Sequence, residues 1–490
     1  MNHLPTSPAR RRAGVTLAGL AMAPTLGVLA PRARAGEQAD RAVSAVRQLV
    51  ASGQVKPGTV LRLRAKQGNL VSLLGRDFQL QREWEQLTGT AIDATVMPQL
   101  DSMAFIRDGQ EVDLTIARTH EFPDLLAAGL IEDLTPWLAR FGMTLSADAQ
   151  QGYLLPAKQS QVGNRVVAVP ADLDIAMLFI RRDLLEDPRH RAEFRPRHGR
   201  DLAAPRTWDE YLELARFFTR PADGLFGAAE PRERRTGWMY WLPRYLSAAG
   251  DRPWLFDEQM RPLIAGSAGV AATANFAATV ACSPPQVLED GKDFSYTLPQ
   301  FVRGHAFSTI LTAATAKIAS REDSAVRGRF VAAPMPGSLV GGRLVRRTTF
   351  IYGNNLVVPR SAQHKAVALM YAMWLTDPIN SLRSVSANGI ADPYRQHHLR
   401  DEAVRQAYTA QAMDVLRDEI GHVSPGGTGL PGNTEYLGAL SHQLWQVAAG
   451  RASPAEALRR TAREWDAITD RLGRPAQIAA WKQQRAELTR

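Results

Sequence analysis

The chain has a single cysteine, Cys282, in 490 residues, so no internal disulfide can form and the fold must be held by its core alone. Lysine is also scarce: seven of the 59 basic residues are lysines, the other 52 are arginines, and they are spread along the chain. A nucleic-acid groove needs a clustered basic footprint, so this distribution argues against nucleic acid as a partner. Catalytic signatures are missing as well. There is no Gly-x-Ser-x-Gly elbow and no His-Glu-x-x-His, and Gly337-Ser338-Leu339-Val340-Gly341-Gly342-Arg343-Leu344 lacks the Lys-Ser/Thr of a phosphate loop. Cys282, beside Ser283-Pro284-Pro285, has no motif around it and reads as inert. No enzymatic activity, metal or cofactor is expected.

At the N-terminus Arg10-Arg11-Arg12 precedes the uncharged stretch Ala13 to Ala30 and then Ala33-Arg34-Ala35. Basic, then apolar, then A-x-A is the order of a secretory signal peptide, and a run rich in Gly and Ala and broken by Pro24 is a poor membrane span. The adjacent arginines fit twin-arginine or general export equally. Removal of residues 1–35 takes five arginines and no acids, leaving 455 residues and lowering the net charge from +10 to +5. A periplasmic location follows as the expectation.

What remains is ordinary globular sequence, 45% hydrophobic and 22% charged. Residues 36–57 read as a polar lead-in with one short helix. Thr59 to Ala65 alternates as a strand, Gln67-Gly68-Asn69 reads as a turn, and a helical pattern through Leu73, Leu80, Trp84 and Leu87 ends at Gly89. Strands at Ala91 to Met97 and Val112 to Ala117 follow, the last leading into a helix through Leu125 and Leu126. This strand–helix order predicts an α/β fold with a mostly parallel sheet. Thr207 with Glu210, and Ser453 with Glu456, are capping-box helix starts. The helix after Thr207 should bury Tyr211, Leu214, Ala215 and Phe218.

The chain pivots on Arg165 to Leu185: an apolar strand, Pro170, the acids Asp172 and Asp174, then the apolar strand Ile175 to Ile180. Alternation in an extended connector puts both carboxylates on one side, about 7 Å apart. Two apolar strands joined by a polar, proline-marked connector suggest a crossing between two lobes.

Taken in order, the segments resemble the extracellular solute-binding proteins of ATP-driven sugar importers, the family that includes maltose- and glycerol-phosphate-type binding proteins. The resemblance is carried by Phe78 to Gly89; Leu126-Ala127-Ala128-Gly129-Leu130-Ile131-Glu132-Asp133-Leu134; Pro170 with Asp174 before Leu178 to Leu185; Pro205 to Glu210; Phe301 to Ala306; Gly353 to Pro359; and Gly450 to Leu458. Each piece alone is a common helix start or strand end, and the weight lies in their order across the mature chain. The resemblance implies a two-lobed, type II-like periplasmic-binding-protein fold, closing on a ligand held between the lobes. Its lobes would be 58–172 plus 354–388, and 173–353 plus 389–490, with crossings at Val169 to Asp174, Phe350 to Asn355 and Asn388 to Tyr394.

The same resemblance implies a monomer that captures a carbohydrate-like solute and delivers it to ABC permease subunits in the inner membrane. A non-sugar solute (organic acid, glycerol phosphate or redox cofactor) and an exported carbohydrate-active hydrolase are the alternatives. Among ligand contacts, Asp174 ranks first, at the crossing where the family carries a ligand-contacting acid; Tyr352, Gly353 and Asn354 lie on the second crossing. Gln67 and Asn69 follow the first strand, and Arg118-Thr119-His120 follow the third, where loop contacts are expected; turn roles are the competing reading. Trp238 and Trp241 share a helix face and read either as core or as a ring reaching the cleft. Arg395 could fork onto hydroxyls or a carboxylate; Asn433 and Glu435 are weaker candidates. Asp172 is expected to be solvated and His397-His398 exposed. Where sugar binders often place a stacking tryptophan, this chain has Thr312-Ala313-Ala314-Thr315-Ala316.

Overall fold

A computed structural model describes residues 36–97, 102–107, 111–148, 150–387, 389–424 and 426–488. The expected signal peptide and Asn388, where the third crossing was expected to start, lie outside these residues.

Eight strands build the two main sheets: β1 (Val60–Ala65), β2 (Ala91–Val96), β3 (Leu114–Arg118), β4 (Val169–Pro170), β5 (Met177–Arg181), β6 (Ser308–Leu311), β7 (Phe330–Ala333) and β8 (Asn354–Val357). Five helices position the site: α1 (Glu37–Ala51), α2 (Gln67–Leu74), α3 (Phe122–Ala127), α4 (Gly237–Ala248) and α5 (Asn433–Ala448). The first sheet has the order β2-β1-β3-β8-β4. Its β2, β1 and β3 are parallel, whereas β8 runs antiparallel to both β3 and β4. The second sheet, β6-β5-β7, is wholly antiparallel. The parallel expectation therefore holds only for β1 to β3. Periodicity reports burial, and the direction of β8 is set by its return from the other sheet, which no local pattern encodes.

One apolar core wraps the first sheet, with Leu61, Leu63, Leu114 and Ile116 against Trp84, Tyr371 and Trp374. The second sheet is covered on both faces. Leu178 and Ile180 of β5 enter one core with Trp241 and Phe276, while Met177 and Phe179 enter another with Phe330 and Met413. That split is the two-residue alternation of a strand written into two packing layers. The chain leaves the first sheet after β4 and enters the second at β5, and it returns before β8.

Several local readings change in three dimensions. The lead-in is the 15-residue helix α1, whose Ala42 and Val46 join the first core. Gln67-Gly68-Asn69 is the first turn of α2 rather than a connecting turn. The helical pattern through Leu73 and Leu80 is broken at Gly75, with Asp77 and Phe78 at φ 52 and 58. The capping box expected at Thr207 forms, with Thr207 and Glu210 bonding reciprocally, whereas at Ser453 half of it forms: Ser453 accepts from the Glu456 N–H. Tyr211, Leu214, Ala215 and Phe218 are buried. The stretch resembling a phosphate loop is an antiparallel hairpin, Gly337–Val340 with Arg343–Arg346. Cys282 is buried, and desolvation raises its thiol pKa, which makes it a poor nucleophile. Among the described residues, no helix is long and apolar enough to cross a membrane.

Candidate functional site

A narrow cavity of about 40 Å³ lies between the sheets, at the C-terminal end of β1. Its polar wall comes from Lys66 and Asn69, at the start of α2, together with Asp174, Tyr352 and Asn354 from the crossings. The opposing wall is apolar: Phe294, Leu298, Leu311 and Ile318, with Thr312, Ala314 and Thr315 between them. The run that lacks a tryptophan thus forms part of the cavity wall, and among the described residues the aromatic rings there are Phe294 and Tyr352, edge to face at 5.2 Å.

Asp174 has φ 50, a left-handed conformation that Asp tolerates better than most residues. That turn breaks the extended alternation expected of the connector. Its Oδ2 accepts hydrogen bonds from the Asn354 N–H at 3.2 Å and the Asn354 Nδ2–H at 2.7 Å, tying the first crossing to the second. Burial pushes the Asp174 carboxyl up to about 6, partly offset by the Asn354 bonds and by the positive charges of Lys66 and Arg118. Gly353 is at φ 58, and a Cβ there would lie 2.8 Å from Thr119 Oγ1. Gly353→Ala should therefore cost about 1–3 kcal/mol of stability, read as a lowered urea midpoint with an unchanged m-value.

Asp172, expected to be solvated, is 2% exposed. Its Oδ1 accepts from the Asp392 N–H, while Asp392 caps the Ala313 and Ala314 N–H groups. Oxygens of Asp172, Asp174 and Asp392 lie within 4.8 Å of one another. These are the described residues best placed to hold a cation. Burial raises all three carboxyls, and mutual repulsion adds to this for Asp172 and Asp392, so protons compete for the cluster at neutral pH. Lys317 supplies a nearby positive charge and spends its hydrogen bonds on the Val385 and Ala387 carbonyls.

The other expected contacts divide. Thr119 and His120 line a neighbouring cavity with Phe350, Gly426 and Gly427. Burial lowers the His120 pKa to about 4, so the ring is neutral, and it meets the Trp238 ring edge to face at 5.1 Å. Trp238 donates to the Arg235 carbonyl and is 3% exposed. Trp241 belongs to the core: it is fully buried, donates to Thr273 Oγ1 and stacks on Tyr245. Sharing a face was insufficient because α4 is buried on nearly every side. Gln67 is exposed and lies outside the cavity wall. Arg395 lies away from the cavity too; it stacks on Tyr153 at 3.9 Å and bonds the Thr376 and Gln151 carbonyls and Gln38 Oε1. His398 is buried against Ser381, not exposed. Asn433 organises a loop, accepting from Thr428 and donating to the His120 carbonyl. Glu435 pairs with Arg471 on the surface.

Lys66 was missed. Its signal was available, since it is the first residue after β1 and so stands where a parallel strand delivers side chains to a cleft.

No family model matches the chain, and no curated relative does. Solved structures do. An ABC transporter solute-binding protein from Agrobacterium radiobacter K84, in complex with ribitol, superposes with a TM-score of 0.67 at 19% identity, covering 83% of this chain and 98% of its own. Maltose-bound MalE3 of T. maritima gives 0.67 at 20% identity, over 84% and 100%. A solute-binding protein from Agrobacterium vitis S4 with bound D-mannitol gives 0.66 at 17%, over 85% and 99%. With its two sheets, its repeated crossings and a cavity between them, the chain has the two-lobed fold of ABC transporter solute-binding proteins.

Proposed function

We propose that this chain is the periplasmic substrate-binding component of an ABC transporter, a monomer that captures a carbohydrate-like solute between its lobes and delivers it to a membrane permease. The observation that carries the reading is the cavity itself. Polar groups from the first lobe and the crossings face an apolar wall from the second, as a pyranose or polyol requires for its hydroxyl edge and its C–H face. The sugar and polyol complexes of proteins with this fold support the same solute class. A hydrolase reading gains nothing from the acids, because only Asp174 of the three clustered carboxylates reaches the cavity wall.

Thermal-shift titration against mono- and oligosaccharides and polyols tests the proposal: a ligand should raise the melting temperature and be recovered unchanged. Absence of any shift across the panel removes the carbohydrate reading, and product release removes the binding-protein one. Asp174→Asn keeps a residue that tolerates left-handed φ but removes a charged acceptor. It should weaken solute binding by about 1–3 kcal/mol, a roughly 5- to 150-fold rise in Kd by calorimetry.

A further inference from the structure

We infer that the solute carries a carboxylate, held against Lys66, on a hydroxylated body: a sugar acid or an acidic polyol. This rests on the carbohydrate reading above and narrows it. The Lys66 ammonium faces the cavity and forms no hydrogen bond or ion pair with any described residue. A mostly buried charge without a partner is costly to keep. Burial first, then Arg118 and more weakly Arg235, lower its pKa to about 8 against the opposing pull of the Glu121 and Asp293 carboxylates, so burial disfavours the charge that a directly bound anion would restore. Arg118 itself lies 5.3 Å over the Tyr352 ring with no carboxylate in ion-pair reach among the described residues, and adds positive potential.

Two further observations come from the turn that carries Lys66. Lys66 is the N-cap residue of the eight-residue helix α2, and no side chain caps that end. Helix N-termini favour anions. Asn69, in the same turn and on the same wall, is 4% exposed, and its Oδ1 has no hydrogen-bond partner. A carbonyl oxygen needs a donor, which a carboxylate cannot supply and a hydroxyl can. Asp174, the other charged group on the wall, is likewise an acceptor for hydroxyls. Asp174 repels an incoming anion, so beside Lys66 a carboxylate with one negative charge is tolerated better than a phosphate dianion. The apolar wall is left for the C–H face of the solute.

The test is calorimetry and thermal shift at pH 7 with matched pairs: D-glucuronate against D-glucose, D-galacturonate against D-galactose, and D-gluconate against sorbitol, with glucose 6-phosphate as a third arm. The acid of at least one pair should bind roughly 10-fold or more tighter than its neutral partner. Lys66→Met should erase that preference and Lys66→Arg retain it, the melting temperature of each ligand-free variant confirming that it folds. Above about pH 8 the preference should fade as Lys66 loses its proton. Equal or tighter binding of the neutral members overturns the charge inference and leaves the carbohydrate reading standing. Preference for the phosphate overturns the carboxylate. No binding by any member of any pair overturns the charge inference, and the broader sugar and polyol panel above then decides the carbohydrate reading.

Discussion

Glu230→Gln should lower the unfolding free energy by about 3–5 kcal/mol, the largest effect expected of a single substitution in this chain. Glu230, Arg232 and Arg244 are all at most 1% exposed. Glu230 Oε1 accepts from Arg244 Nη2 at 3.0 Å and from the Tyr211 hydroxyl at 2.8 Å, and it lies 3.2 Å from Arg232 Nη2. The guanidinium of Arg232 sits 4.1 Å over the Phe276 ring, and that of Arg244 4.1 Å over Trp208. Removing the one carboxylate leaves two positive charges inside the second core with only neutral partners. The cluster also braces α4, since Arg244 Nη1 donates to the Tyr240 carbonyl.

The pH dependence has a definite sign. Burial alone would raise the Glu230 pKa, but Arg232 and Arg244 outweigh it and hold the carboxyl at about 2, below its ordinary value of 4.5. A depressed folded-state pKa contributes stability that is complete above about pH 4.5 and lost as pH falls toward 2. Guanidinium melts at several pH values should therefore show the gap between wild type and Glu230→Gln narrowing across that interval. A gap of under 1 kcal/mol at pH 7 would mean that neutral hydrogen bonds suffice for the two arginines.

Asp124→Ala should open the lobes. Asp124 lies on α3 beside Phe122 and Leu125 of the first core, whereas α5 contributes Tyr436, Leu437 and Leu440 to the second. Across that boundary the Asp124 carboxylate accepts from the backbone N–H groups of Gly432 at 2.5 Å, Asn433 at 3.1 Å and Thr434 at 2.8 Å. It thus caps a helix of the opposite lobe, with the favourable dipole sign. Asn433 Nδ2 adds a bond to the His120 carbonyl at 2.7 Å. Loss of a charged acceptor for three N–H groups costs about 2–4 kcal/mol. These bonds span the two cores, so separation of the lobes would break them and the cost falls on closure more than on folding. Solute affinity should drop by roughly 30-fold or more at that energy, and the radius of gyration with solute present should stay at its solute-free value in X-ray scattering. Unchanged affinity and scattering would show that the contact plays no part in closure.

How much of this was legible beforehand depends on the range of the interaction concerned. The helix start at Thr207 was readable because the capping box is complete within four residues. The strand content of β1, β2, β3 and β5 was readable because alternation is local. Trp241 and Arg395 were beyond such reading: each is a polar-tipped or cationic side chain whose partners, Thr273 and Gln38 among them, come from distant parts of the chain. Asp172 was misjudged for the same reason, since the Asp392 N–H that meets it lies 220 residues away.

Taken alone, the sequence determined the α/β character and the ordered segments of a two-lobed fold, and it carried the expected crossing at Val169 to Asp174 and no catalytic motif, because each is written in short-range patterns of side-chain chemistry. Only the tertiary structure decided which side chains face the cavity. It set Lys66 and Asn69 across from an apolar wall, sent Trp241 and Arg395 away from it, and gathered Asp172, Asp174 and Asp392 at the crossings. Burial and charge proximity are properties of chain segments brought together in space, and no spacing along one segment encodes them.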